Sequence, residues 1–462
     1  TPKPSSAASD VYKRQPVEVE ITSPDPGAEI RYVMGWSEPN RNSSLYTGPI
    51  HVGGSVMIRA KAFSPNAVPS ATVTRSYTIL DTSAKDFSSN LPVFILNTFG
   101  RGIGQDTYQG GFAEVFTPDG ETGRTRFTNA VHYAGIIGLK LRGSSSLGFP
   151  KKMYAMEIWD EKGNDTDFPL LGLPAESDWV LYGPYSDKSL MRNALAYGWS
   201  NDIDRYAPRT KFCEVFLNNG TGKLSYSHYI GVYVLIEKIK RGEDRVNIKK
   251  LLPSQNSEPE ISGGYLLKID RLDPGDHGFK TRRGTLICYV DPKEKYITPE
   301  QASWIKNYMD AFESALFGPD FTDPEKGYAA YIDVDSWVDH FLLTELCKNI
   351  DGYRLSTFFY KDRGGKLTMG PIWDYNLSLG NADYLHGWVT SGWYLDENKN
   401  PNGWGKWWHR LFEDPEFEQK FIDRWQEVRR HKRETFNVGR YWECGFGRTT
   451  TSLRAGRRSF HG

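Results

Sequence analysis

The sequence predicts a multidomain protein, with an all-β sandwich at the N-terminus and a larger α+β domain behind it. Three observations carry this. The chain has 462 residues, more than a single core requires. Residues 16–80 alternate apolar and polar side chains in short runs between turn signals. From residue 91 onward, strand-like runs mix with helical periodicity, without a regular alternation of the two.

Composition narrows the function classes. Apolar residues make up 39% and aromatics 14%, enough for a sizeable core. Lys+Arg and Asp+Glu each total 57, so no general attraction to nucleic acid or anionic membrane is expected. No window of 18 apolar residues predicts a transmembrane helix, and no signal peptide is visible. Cys213, Cys288, Cys347 and Cys444 form no C-x-x-C pair, which points away from a zinc site or a disulfide framework. Residues 1–15 have no hydrophobic period. They read either as a disordered linker or as an assembly artefact, because Ser6–Gln15 resembles translated adapter sequence.

In the N-terminal part, Val17, Val19 and Ile21 alternate with Glu18 and Glu20. Further strands are predicted at Ile30–Val33, Ser55–Ala62 and Ala71–Ile79, with turns at Pro24–Gly27, Glu38–Asn40, Gly53-Gly54 and Ser64–Asn66. This spacing suits an immunoglobulin-like sandwich. Residues 81–90 read as a polar linker. Strands are then predicted at Val93–Leu96, Ile137–Leu141, Met153–Trp159, Tyr229–Ile236 and Tyr265–Ile269. Helices are predicted near Leu190–Ser200, capped by Ser186 or Asp187, over Gln301–Phe317, over Ser336–Lys348 with Asp335 as cap, and over Pro415–Thr435. After residue 438 the amphipathic pattern stops in a basic stretch, read as an irregular and possibly frameshifted tail.

The stretch from Lys348 to Asn376 holds the most chemistry. A helix ends near Lys348, Leu355–Lys361 is strand-like, Asp362–Gly365 is a turn, and Lys366–Trp373 returns. A hairpin centred between Arg363 and Gly364 brings Asp351 to Asp374 and Asn376 at its open end. Two carboxylates so placed suit phosphoryl transfer, which needs an acceptor for the nucleophile's proton and an anionic ligand for the phosphate-bound metal. Two ordinary Asp residues at element ends fit the same pattern. There is no H-E-x-x-H and no G-x-S-x-G. A glycosidase pair is open in principle, but no feature picks it out.

The loop Arg142-Gly-Ser144-Ser145-Ser-Leu-Gly is small and polar, suited to presenting backbone N–H groups to phosphate; an ordinary hairpin turn fits equally. Lys151 and Lys152 open the next strand on opposite faces. One of them is a candidate phosphate contact, Lys152 slightly preferred, with Glu237 as its candidate acidic partner. A pair of solvated lysines is the alternative.

Two resemblances add to these readings. Pro26-Gly-Ala-Glu-Ile-Arg-Tyr, Ser37-Glu-Pro, Leu45-Tyr-Thr-Gly-Pro-Ile and Ile58-Arg-Ala-Lys-Ala-Phe resemble the chitobiase/β-hexosaminidase C-terminal module. It is an accessory domain of unrelated enzymes, and it adds a surface glycan as an expected partner. Leu141-Arg-Gly-Ser-Ser-Ser with Lys151-Lys-Met-Tyr, Asp178-Trp-Val-Leu with Asp187 and Arg192-Asn, Tyr229-Ile-Gly-Val-Tyr-Val-Leu-Ile-Glu-Lys, Gly263-Gly-Tyr-Leu-Leu-Lys, Asn349-Ile-Asp and Pro371-Ile-Trp-Asp-Tyr together resemble the bacterial CotH kinase family over about residues 90–430.

That resemblance implies an atypical protein-kinase-like fold over 91–438. It also implies binding of ATP or another nucleoside triphosphate with Mg or Mn, and phosphorylation of surface proteins or of the chain itself. The expected location is extracellular or cell-surface. By the resemblance Asp351 is the catalytic acid and Asp374 a metal ligand. Ser356 stands where a kinase-like loop has Asn, and Asn376 where many relatives have a second acid, so both weaken the metal site. The rival expectation is a non-catalytic adhesion or carbohydrate-binding protein on a kinase-like scaffold.

Overall fold

The computed structural model describes residues 17–65, 67–272, 275–395 and 405–431. The expected N-terminal artefact and the expected irregular tail lie outside the described residues. The protein is mostly β, with a β-rich N-terminal module and an α+β region behind it. In the module, Val17–Val19 pairs with Ile50–Val52, and Ser44–Leu45, Glu29–Met34, Val56–Phe63 and Val73–Tyr77 form a four-stranded sheet. Alternation sends Val19, Ile50, Val52, Ile58 and Ile79 into one small core. The odd residues of Val56–Phe63 face the other way. Met57 packs on Phe112 and Ile136 of the following region. Arg59 donates to the Trp36 carbonyl at 2.7 Å and the Glu161 carbonyl at 2.8 Å.

Residues 81–90 are not an open linker. Ala84 is fully buried, and Phe87 lies 4.9 Å from the ring of Phe216 and 5.9 Å from that of Phe127. Asp81 N–H donates to the Leu224 carbonyl at 2.8 Å. The polar composition of the stretch hid two apolar side chains that a neighbouring surface covers. Leu80 belongs to the same cluster. Leu80→Ala is expected to lower the denaturation midpoint by an amount equivalent to about 2–4 kcal/mol. An unchanged midpoint would show that the segment is dispensable to the larger domain.

The next region closes into a barrel, which the sequence did not predict. Its order is Met153–Ile158, Asp178–Tyr182, Tyr229–Glu237, Thr210–Asn218, Val93–Asn97, Gln109–Phe116 and Val131–Arg142, returning to the first. All neighbours are antiparallel except Thr210–Asn218 with Val93–Asn97. Phe94, Leu96, Val115, Leu139, Leu181, Val215 and Leu235 fill the interior. Val93, Ile95, Phe116 and Phe216 face outward into a second apolar cluster. With both faces buried, these strands lose the alternation that marks a half-exposed strand. Gln109–Phe116, Asp178–Tyr182 and Thr210–Asn218 were missed for this reason.

The α+β region holds a five-stranded sheet in the order Gly278–Lys280, Leu286–Asp291, Tyr265–Ile269, Thr357–Lys361, Leu367–Met369. Helix α1 (Arg192–Asp202) lies against the barrel. Its cap residue is Met191, yet Asp187 reaches in and accepts the Arg192 N–H at 2.9 Å. Helix α2 (Pro299–Leu316) starts with a reciprocal capping box between Thr298 and Gln301. Helix α3 (Val334–Cys347) is capped by Asp333, not Asp335, with Ser336 N–H at 2.9 Å from its carboxylate. Asp335 stands in the first turn instead, where the helix dipole favours it. Helices α4 (Lys406–Leu411) and α5 (Pro415–His431) follow. Leu342, Leu343, Cys347, Ile372 and Tyr375 join Tyr182, Tyr197, Val234 and Ile236 in one cluster, which bonds the barrel to the α+β region.

Candidate functional site

The Lys348–Asn376 hairpin forms as expected, with its ladder displaced. Phe359 pairs with Met369 and Lys361 with Leu367, so the centre falls on Gly364 at φ +63°. Pro371, with no N–H to give, ends the returning strand early. Asp351 follows the left-handed cap Lys348 of α3, and Asp374 is itself left-handed at φ 62°. Ser356 shares that conformation at φ 51°. Left-handed residues other than glycine cost roughly 1 kcal/mol or more each, and their clustering marks a site where geometry is imposed on the backbone.

The two acids feel each other. Burial pushes the Asp374 carboxyl up to about 6, the Asp351 charge pushes the same way, and Arg142 opposes both. Burial also raises Asp351, against the pull of Arg354 and Arg271. The Arg354 guanidinium is 2.5 Å from Asp351 Oδ1. A third carboxylate, Asp270, raises both acids. Sequence reasoning missed Asp270, although both strands that place it were found. Ile269 pairs with Thr357, so one more step puts Asp270 opposite Ser356.

Arg142 reaches the acids because of barrel register. Arg142 pairs with Met153, Tyr154 with Leu181, and Tyr182 with Val234. Arg142, Met153, Tyr182 and Val234 therefore form one cross-strand row with a common face. That face receives α1 and the Trp373–Asp374 turn. The Arg142 guanidinium lies 5.5 Å from the Trp373 ring centre. The Asp374 N–H donates to the Tyr197 hydroxyl oxygen at 3.0 Å.

The other expected residues are placed differently. Lys151 Nζ donates to the Val232 carbonyl at 2.6 Å and lies 4.7 Å from the Tyr233 ring centre, on the barrel-interior side. Burial lowers its pKa. Lys152 turns back to the Leu147 carbonyl at 2.6 Å. Neither lysine meets the acids in the described contacts; Arg142 lies over the neighbouring Trp373 ring, and its charge lowers the Asp374 pKa. Glu237 serves neither lysine. It is fully buried and held by Arg209 at 2.8 Å and by the Tyr206 hydroxyl at 3.2 Å. The reason is register: Glu237 ends its strand beside Trp179, several residues from Val232. Ser144 and Ser145 lie on an exposed loop that begins a short helical turn. The Asn376 amide donates to Ser186 Oγ at 3.3 Å, tying the turn after Asp374 to the segment before α1.

Two family models match the chain. The model of the chitobiase/beta-hexosaminidase C-terminal domain matches residues 7–74. The CotH kinase protein model matches residues 139–441, a span that holds Arg142, Asp270, Asp351 and Asp374. No curated protein matches the chain. With well over half of its length under the second of these models, the chain belongs to the CotH kinase protein family.

Proposed function

We propose that the chain is a metal-dependent kinase that transfers the γ-phosphoryl group of ATP or another nucleoside triphosphate to a hydroxyl of a protein, itself included. The observation that carries this reading is the pair Asp351 and Asp374 in one buried field, with Asp374 raised to about 6 and Arg142 beside it. Asp374 would hold a divalent cation, which would relieve its repulsion with Asp351. No group of three His, Cys, Asp or Glu among the described residues is placed to hold a metal ion. In this reading Mg or Mn would be held by the Asp374 carboxylate plus substrate oxygens. The chemistry such an ion supplies when bound is neutralisation of charge on the transferring phosphoryl group.

Asp351 is the proton acceptor in this reading. Its raised pKa makes it a stronger base than an exposed Asp. The acceptor hydroxyl oxygen bonds to the γ-phosphorus, the bridging bond to the β-phosphate breaks, the proton goes to Asp351, and the nucleoside diphosphate leaves. In this reading Arg142 and Arg271, whose charges lower the Asp374 pKa, would hold phosphate oxygens. We further place the protein outside the cell or at its surface, with the N-terminal module as a contact for surface glycan.

A second reading, a non-catalytic surface protein on a kinase-like scaffold, is favoured by one contact. Asn376 spends its amide on Ser186 rather than supplying a second acid. The deciding experiment is transfer of labelled γ-phosphate from Mg- or Mn-nucleotide to purified chain and to a generic protein acceptor. Metal-dependent nucleotide binding with label incorporation supports the kinase. Neither binding nor incorporation leaves the scaffold reading.

A further inference from the structure

A buried donor beside the acids is left without a partner among the described residues. Tyr182 is 5% exposed, and its hydroxyl meets no hydrogen-bond partner there. A buried hydroxyl without a partner costs about 1–3 kcal/mol, so its persistence calls for an explanation. Its position supplies one. Tyr182 ends its barrel strand in the cross-strand row with Arg142, two strands away on the same face. Neighbouring strands lie about 4.8 Å apart, which sets the two side chains roughly 10 Å apart at their origins, on the face that packs against Trp373.

A second phenol faces the same place from α1. The Tyr197 oxygen accepts the Asp374 N–H at 3.0 Å, which leaves its own proton directed elsewhere. Both phenols are further tied to the site by electrostatics: the Asp374 charge, after burial itself, raises the pKa of each. Both therefore stay protonated donors at any physiological pH. Two phenols and the Arg142 guanidinium thus lie on the Asp374 side of the seam, and an anion with several acceptor oxygens is a ligand that could satisfy them together.

We propose that Tyr182, with Tyr197, donates hydrogen bonds to the phosphate oxygens of the bound nucleotide, on the barrel side of Asp374. This rests on the kinase reading and deepens it. It also accounts for the distance of Lys151 and Lys152 from the acids: the phosphate contacts expected of a lysine fall to Arg142 and two tyrosines. Gly183, next to Tyr182, supports the arrangement. A Cβ there would come within 2.8 Å of the Lys152 carbonyl oxygen and 3.0 Å of the Tyr233 ring, so the strand end and the loop at Lys152 close tightly together.

The test is Tyr182→Phe in the full chain, read by titration with Mg-ATP, Mg-pyrophosphate and adenosine, and by thermal midpoint without ligand. Tyr197→Phe is the weaker variant, because it also takes the acceptor from the Asp374 N–H. Tyr182→Phe is expected to weaken ATP and pyrophosphate by about 5- to 30-fold, to leave adenosine unchanged, and to keep or raise the midpoint. Equal affinity of wild type and variant for both phosphate ligands overturns the assignment. So does a lowered midpoint with equal weakening for adenosine, which is the mark of a structural role. Wild-type protein that binds neither phosphate ligand overturns the kinase reading and the tyrosine assignment together.

Discussion

Asp374→Asn is expected to stabilise the metal-free protein at pH 8 while abolishing its metal-dependent nucleotide binding. The sign follows from the raised pKa. Asp374 titrates near 6 when folded against 3.8 for an ordinary Asp. The folded state then binds more protons than the unfolded state between those values, so stability is lost as pH rises through about 6. The net shift, which already includes the opposing pull of Arg142, corresponds to roughly 3 kcal/mol by the linkage relation. Near pH 3, below 3.8, Asp374 is protonated in both the folded and the unfolded state, and variant and wild type should converge. Denaturation midpoints at the two pH values read this directly. A variant equal to or weaker than wild type at pH 8 would mean that Asp374 is not held under electrostatic strain. Nucleotide binding with Mg should fall by at least the roughly 10- to 100-fold that loss of a mere supporting partner costs a metal site.

Asp351→Asn separates binding from transfer. The amide keeps the size of the side chain but cannot take up the acceptor's proton. Nucleotide affinity is expected to stay within about threefold, while the rate of phosphoryl transfer falls by roughly 100- to 10,000-fold. Burial raises the Asp351 carboxyl in spite of Arg354, 2.5 Å from its Oδ1, so by the same linkage the midpoint of the variant at neutral pH is expected to hold or rise. Transfer at the wild-type rate would remove Asp351 from the chemistry. Loss of binding equal to that of Asp374→Asn would assign both acids to the metal instead.

The two acids differ because their neighbours differ. Asp374 lies in the barrel–sheet seam, where Arg142, Tyr182 and Tyr197 come from the barrel side. Asp351 lies on the sheet side, among Arg354, Arg271 and Asp270. One hairpin mouth thus carries two carboxylates with distinct surroundings, which is the condition for distinct roles.

The sequence by itself determined the module's alternating strands, the α2 and α3 helices to within a few residues, and the hairpin that joins Asp351 to Asp374. Each is a local pattern: a period of two, a period of 3.6 with a cap, or a turn between two β-rich runs. It also singled out Asp351, Asp374 and Arg142 as candidate site residues. Only the tertiary structure decided the rest. Barrel closure pairs Met153–Ile158 with Val131–Arg142 and joins Val93–Asn97 to Thr210–Asn218 across more than a hundred residues, and strands buried on both faces send no alternating signal. Register then assigned the partners. It set Glu237 beside Arg209 rather than a lysine, turned Lys151 toward Tyr233, and brought Asp270, Tyr182 and Tyr197 to the acids. A shift of one residue in a strand reverses the face of every side chain on it, so long-range pairing decides which charged groups meet.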